Sequence, residues 1–514
     1  MTARFVDSSA QGGLPKEVDL LVVGSGPIGS AYARIVSERV PGARILMVEA
    51  GPRLTGVPGK HVLNIQDRTE RARAVRLSEG RTAGEERTSM RAHFDAEATE
   101  LAAAAGTFFV DPAAPGAGSG LLPALAASRN VGGMGSHWGT ASPYPRGRER
   151  VGFIPRDEWD AALDKAKQLL AVSEEPLTDS PEWQECLARL GKEFNDELDP
   201  DGPVRNIPLA CRRNPDGTLH WSGSDTVLGD LATGPRETFA IAADTLCRRL
   251  TGEGRRITGA VLEHRPTGHT ERVSAKVVVV AGDALHTPQL LWASGIRPQA
   301  LGRYFSEHVF VGTTLTPAGL DATPDLSILH ADGTSSGVGW IPLPQHGELH
   351  GQFRQSVVRS EGSDRSTGMV LFSFMFAKEA RFEDRIWFSQ TECDPYGMPA
   401  IRYDYEYTPH DLDLIEQARR QVARAAGALG ADRPTVMVQP GGTSLHYLGS
   451  TRMGPADDGT SVCDSHSRVW GYDNLYLGGN NVIPTPVACN PTLTSMLLAC
   501  RGAEQAASLT ASSL

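Results

Sequence analysis

Three glycines spaced as Gly24-x-Gly26-x-x-Gly29 follow the apolar run Val18–Val23 and open a helix-like stretch that reaches about Val40. That spacing serves phosphate chemistry. The first glycine permits a tight turn, the second lets backbone approach a pyrophosphate, and the third lets helix pack on strand, with the helix N-terminus facing the anion. Glu49 ends the next strand-like run, Arg44–Glu49, where an acid that accepts from a ribose hydroxyl belongs. The unit predicts a bound dinucleotide and by itself does not separate FAD from NAD. Metal chemistry is not indicated, because the seven cysteines (186, 211, 247, 393, 463, 489 and 500) are scattered without a CxxC pair.

The elements that must hold such a site come in two styles. Val18–Val23 and Lys276–Ala281 are continuous apolar runs, as in strands buried on both faces of a parallel sheet. A helix over Thr287–Ser294, a short strand at Asn474–Leu477 and a helix from about Pro491 to Ala507 complete a β-α-β style at the two ends of the chain. Between them, from about Phe310 to Tyr407, apolar and polar residues alternate, which predicts an antiparallel sheet with one face on a core. From Asn64 to Ala105 the composition turns to Arg, Glu and Ala, and Asp111–Gly120 is rich in Pro, Gly and Ser. This stretch is expected to be an insertion: a cover over the site, an oligomer contact or a solvated helical arm.

A length of 514 residues suits two or three interleaved domains. The net charge of −11 argues against a nucleic-acid surface. No run approaches the roughly 18–20 apolar residues of a membrane helix. With no charged start leading into an apolar stretch, the chain is expected to be soluble, reduced and cytoplasmic.

Longer segments then carry a resemblance. Asn130-Val-Gly-Gly-Met-Gly-Ser-His-Trp138, Trp221–Thr226, Ala281–Leu291, Ile386–Ser389, Asp394–Pro399, Leu445–Gly454, Asn474–Gly479 and Asn490–Thr494 occur in the order and context of the glucose–methanol–choline oxidoreductases. Within that family the chain resembles the pyranose 2-oxidases and bacterial C-glycoside 3-oxidases. The resemblance implies an α/β FAD-binding, Rossmann-like domain interleaved with an α+β substrate domain containing a large antiparallel sheet. FAD-binding segments are expected at 1–64, 121–150, 236–309 and 438–514, an arm at 65–120, a mixed segment at 151–235 and the substrate domain at 310–437.

FAD is the implied cofactor, with Gly24, Gly26, Gly29, Glu49, Gly133, Ser136, His137, Cys247, Gly479, Asn480 and Thr492 at positions that contact it in the family. His137 resembles the flavin attachment point of fungal pyranose 2-oxidases, although Ser136 and Gly139 stand where those enzymes carry threonines. A helix starting near Thr492 can aim its N-terminal amides at charge growing on the flavin.

The same resemblance implies oxidation of a secondary ring hydroxyl, C2 or C3, of a pyranose sugar or glycoside. His446 stands in the position of the base, a neutral imidazole suited to taking a hydroxyl proton near neutrality. Asn490 stands in the position of the amide that holds the same oxygen. Gln352 resembles the glutamine that meets sugar hydroxyls, Arg354 shares its strand face, and Thr443 is expected to shape the pocket. His286 and His308 are expected to be structural. The electron acceptor is left open between O2, giving H2O2, and a quinone or protein. A lyase that keeps FAD only as structure is the remaining alternative. Gly139 is expected to widen the cavity so that glycosides enter and present C3.

Overall fold

The computed structural model describes residues 13–79, 106–110, 121–174, 181–200, 202–234, 237–318, 337–344, 346–359 and 366–513. Of the expected arm, the helix Arg68–Glu79 and the strand Gly106–Phe109 are described, while 80–105 and 111–120 lie outside the described residues.

Glu17–Val23 buries every residue from Val18 to Val22, the pattern of a strand with neighbours on both edges and layers on both faces. It pairs in parallel with Ile45–Val48 and with the C-terminal half of His269–Val280, so that Val23 lies opposite both Val48 and Val280. Phe239–Ala242 extends the parallel order past Ile45–Val48. The long strand His269–Val280 changes partners along its length. Its first half runs antiparallel to Arg256–His264, which in turn pairs with Thr245–Glu253. Its last three residues run parallel to Leu475–Leu477. The result is a seven-stranded mixed sheet. Helices Pro27–Arg39 and Thr492–Ser512 pack into one core with it, and Tyr32 Oη, from the first helix, donates to Leu477 O at 2.9 Å.

The second sheet is antiparallel throughout. Its order is Met437–Val438, His308–Leu315, Ser366–Ala377, His350–Arg359, Val338–Ile341 and Arg205–Asn206. The alternation in the sequence divides its faces. Val309, Val311, Phe353, Phe372, Phe374 and Phe376 are buried against helices Pro181–Phe194 and Pro409–Ala428. The residues between them, including His308, Gln352 and Arg354, therefore stand on the opposite face.

The expected antiparallel run from Phe310 to Tyr407 is split. Arg385–Cys393 and Pro399–Asp404 form a separate hairpin, not part of the six-stranded sheet. Its apolar residues Ile386, Phe388, Ile401 and Tyr403 pack with Ala284, Leu285 and Phe305. Alternation reports that one face is buried; it does not say against which partner. Among the described residues no helix is long and apolar enough to cross a membrane. Nor do they hold a group of three His, Cys, Asp or Glu that could ligate a metal.

Candidate active site

A cavity of about 1140 Å³ runs between the two sheets, larger than the usual space for one small ligand. Its floor at one end is the glycine turn. Gly24 has φ +106°, and a β-carbon there would stand 2.3 Å from Ala281 O. At Gly29 a β-carbon would meet Gly24 O at 2.1 Å, so this glycine sits behind the cavity and lets helix and strand close together. Gly26, by contrast, lines the cavity with nothing within 4 Å of its β position. Open space thus lies where backbone must approach a pyrophosphate, in front of the helix Pro27–Arg39.

Glu49 lines the same end and is buried. Its carboxylate accepts from Ser25 Oγ at 2.8 Å, Ser25 N at 3.3 Å and Gly51 N at 3.0 Å. Burial pushes the carboxyl up from its ordinary range, against the pull of those donors. Ser25, absent from the sequence expectations, also accepts from Gly132 N at 2.9 Å and so ties the Asn130–Trp138 segment to the fingerprint. Cys247 lines the cavity with a thiol pushed up to about 12 by burial, a neutral group beside any ligand.

Gly133 and His137 line the cavity, and His137 Nε2 lies 3.2 Å from Thr107 Oγ1. Ser136 does not line it. Its hydroxyl is buried and accepts from Asn130 Nδ2 at 2.8 Å, holding the segment's own turn. Gly479, Asn480 and Thr492 line the cavity near the start of the last helix, and Asn480 Oδ1 accepts from Ser495 Oγ within that helix. These features fit a dinucleotide: an open glycine at a helix N-terminus, a buried acid, and a second helix N-terminus lining the same cavity.

His446 and Asn490 both line the cavity. His446 follows Leu445, whose backbone is left-handed at φ +57°, a strained conformation for leucine. Its Nδ1 lies 3.0 Å from Nδ1 of His308, and the two rings meet edge to face. Burial and the neighbouring imidazoles of His308 and His350 hold His446 well below the ordinary histidine range. It is therefore neutral at physiological pH, the form a base requires. The Oδ1 of Asn490 is buried with no hydrogen-bond partner among the described residues. An orphaned buried acceptor is costly and marks a place kept for a ligand.

Gln352 and Arg354 also line the cavity, on alternate positions of one strand. Thr443 does not. It is exposed, and its Oγ1 donates to Pro440 O at 2.6 Å, closing a turn outside the cavity. Ser444, the next residue, lines the cavity instead. Gly139 lines it too, with no atom within 4 Å of its β position. Three residues beneath the pair were not expected as site residues. His308 meets His446, Glu307 holds the loop before His446, and Glu149 holds the loop before Asn490. Their partners are far away in sequence, and only the histidine's place beside a matched segment hinted at its role.

Profiles of the GMC oxidoreductases match residues 147–310 and 388–499. The chain is 41% identical to a C-glycoside 3-oxidase of Arthrobacter globiformis, covering 96% of this chain and 95% of that protein. It is 30% identical to a pyranose 2-oxidase of Tricholoma matsutake over 97% of this chain and 95% of that one. Among solved structures, pyridoxine 4-oxidase from Mesorbium loti superposes with a TM-score of 0.62 at 17% identity, over 95% of this chain and 99% of its own. That likeness carries the fold.

Proposed function

The chain belongs to the GMC oxidoreductases, a family of FAD enzymes, and from that premise we propose that it oxidises a secondary ring hydroxyl of a pyranoside to a ketone. The observation that carries this reading is that a neutral His446 and an Asn490 whose side-chain oxygen is unpartnered both line the cavity, on loops bridged by His308. Bound FAD supplies the hydride acceptor. His446 takes the proton of the substrate hydroxyl as the C–H bond is broken, and the Asn490 amide donates to the oxygen as it gains charge. The residues that would hold FAD are Gly26, Glu49, Gly133, Gly479, Asn480 and Thr492. Gln352, which lines the same cavity, would meet other ring hydroxyls. With O2 as the electron acceptor the second product is H2O2.

The empty β position of Gly139 favours a glycoside over a free sugar. A side chain there would occupy space in the cavity, and its absence leaves room for an aglycone and for a ring turned to present C3. The chain is more similar to a C-glycoside 3-oxidase, at 41% identity, than to a pyranose 2-oxidase, at 30%, which supports C3 as the position oxidised. Anaerobic flavin bleaching by an aryl or C-linked glucoside, compared with glucose, tests the substrate class. NMR of the product locates the ketone, and peroxide release on re-oxygenation tests the acceptor. A flavin that no sugar or glycoside bleaches defeats the proposal. In Gly139→Thr, kcat/KM for the glycoside should fall more than that for glucose, and equal falls would remove Gly139 from substrate selection.

A further inference from the structure

His308 occupies the first position of the strand His308–Leu315, on the face opposite the helices, where it is 2% exposed. Its Nε2 lies 2.6 Å from the carbonyl oxygen of Val487 and its Nδ1 lies 3.0 Å from Nδ1 of His446. A carbonyl oxygen only accepts, so Nε2 of His308 carries a hydrogen and donates. A neutral imidazole has a single N–H, which leaves Nδ1 of His308 bare. The bond to His446 can then form only if His446 Nδ1 donates. That assigns the hydrogen of His446 to Nδ1 and leaves its Nε2 with a lone pair, with no hydrogen bond from Nε2 to any described residue.

We propose that His308 is a positioning residue that fixes the tautomer of His446, so that the nitrogen left for substrate is the unprotonated one. The opposite tautomer would place N–H where the substrate hydroxyl must give up its proton, and no transfer could follow. Burial holds the His308 imidazole down at about 4, so it is neutral throughout the range in which the assignment must hold. The bond to Val487 adds a second function. Val487 lies on the loop that leads to Asn490, so one ring spaces the two catalytic loops as well as setting the proton.

The inference rests on His446 being the base, and the experiment separates the two. In FAD-loaded protein labelled with 15N-histidine, two-bond proton–nitrogen correlations report which ring nitrogen of His446 carries hydrogen, without any turnover. Wild type should show Nδ1–H, and His308→Ala should show loss of that single state. His308→Gln can donate to Val487 and accept from His446, and it should restore Nδ1–H. Flavin-reduction rates measured alongside should fall at least tenfold in His308→Ala, with about 10⁴-fold the scale set by a wrong-tautomer histidine elsewhere. His308→Gln should recover to within threefold of wild type, and His308→Ala/His446→Ala should be no slower than His446→Ala alone. The proposal falls if wild-type His446 carries its hydrogen on Nε2, or if His308→Ala leaves tautomer and rate unchanged. It also falls if His308→Gln, folded and yellow, is as slow as His308→Ala. Should His446→Ala keep the wild-type rate, the base reading fails, whereas the tautomer measurement still decides the bond.

Discussion

His446 and Asn490 reach the cavity on separate loops, and each loop is pinned from beneath by a buried glutamate. Glu149 accepts from the amides of Ala488 and Cys489, at 2.9 and 2.8 Å, and from Arg146 N at 2.7 Å. Glu307 accepts from Gly442 N at 2.7 Å and from Ser444 Oγ at 3.0 Å. Neither carboxylate has a cation in hydrogen-bond reach among the described residues, so each depends on neutral donors for its charge. The histidine loop has fewer of them, and burial pushes Glu307 up to about 8. His308 meets the catalytic imidazole itself on the histidine loop, whereas on the asparagine loop it reaches only the backbone, at Val487 O. An amide needs only to be aimed. An imidazole must be aimed and also carry its hydrogen on the right nitrogen, which takes a further partner.

The comparison breaks most visibly at the catalytic residues themselves. His446→Ala should keep FAD and lose roughly 10²–10⁴ in the rate of flavin reduction, the range for a positioned base. A rate within threefold of wild type would take His446 out of that role. Asn490→Ala should lose about 10²–10³, the cost of removing one donor to a charged oxygen. If Asn490→Ala were more than about tenfold slower than His446→Ala, outside both ranges, the histidine would not be the residue that moves the proton.

Smaller effects test the pins. Glu149→Ala leaves the Ala488 and Cys489 amides without their acceptor and should cost roughly 1–3 kcal/mol of stability by denaturant unfolding. Glu149→Gln, which keeps one acceptor oxygen, should cost less, and equal losses would mean that the charge and not the amide bonds holds the loop. The smallest effect is at Glu307 and depends on pH. The folded state raises this carboxyl from the ordinary 4.5 to about 8. Folded protein therefore keeps a proton that unfolded chain releases within that window, and stability from this group declines as pH rises through it. Glu307→Gln stays neutral throughout, so its melting temperature relative to wild type should climb from pH 6 to pH 9. A flat difference would show that Glu307 is ionised at all of these values.

Much of this architecture is legible in the residues. The glycine spacing, the buried runs at Val18–Val23 and Lys276–Ala281, and the alternation around Gln352 each encode a local geometry that the fold keeps. Side-chain direction within a matched motif is less legible. Ser136 and Thr443 sit in the right segments, but local turns spend their hydroxyls on Asn130 and Pro440. Least legible are the supports. His308 meets a partner 138 residues away and Glu149 meets one 340 residues away, and no local pattern encodes either distance. The hairpin Arg385–Asp404 teaches the same lesson, since its alternation fits either sheet and only the chain path seats it on Ala284 and Leu285.

The strand His269–Val280 takes Glu17–Val23 on one edge and Leu475–Leu477 on the other. Glu17–Val23 therefore has one neighbour, Ile45–Val48, close by in sequence, but its other neighbour is made much later and Leu475–Leu477 comes after that. Non-local pairings of this kind slow folding and leave edges exposed meanwhile. The helix beginning at Thr492 is later still. The glycine turn at Gly24 and the helix beginning at Thr492 stand far apart in the sequence yet line one cavity, so the cradle for a flavin is complete only when both have docked on the sheet.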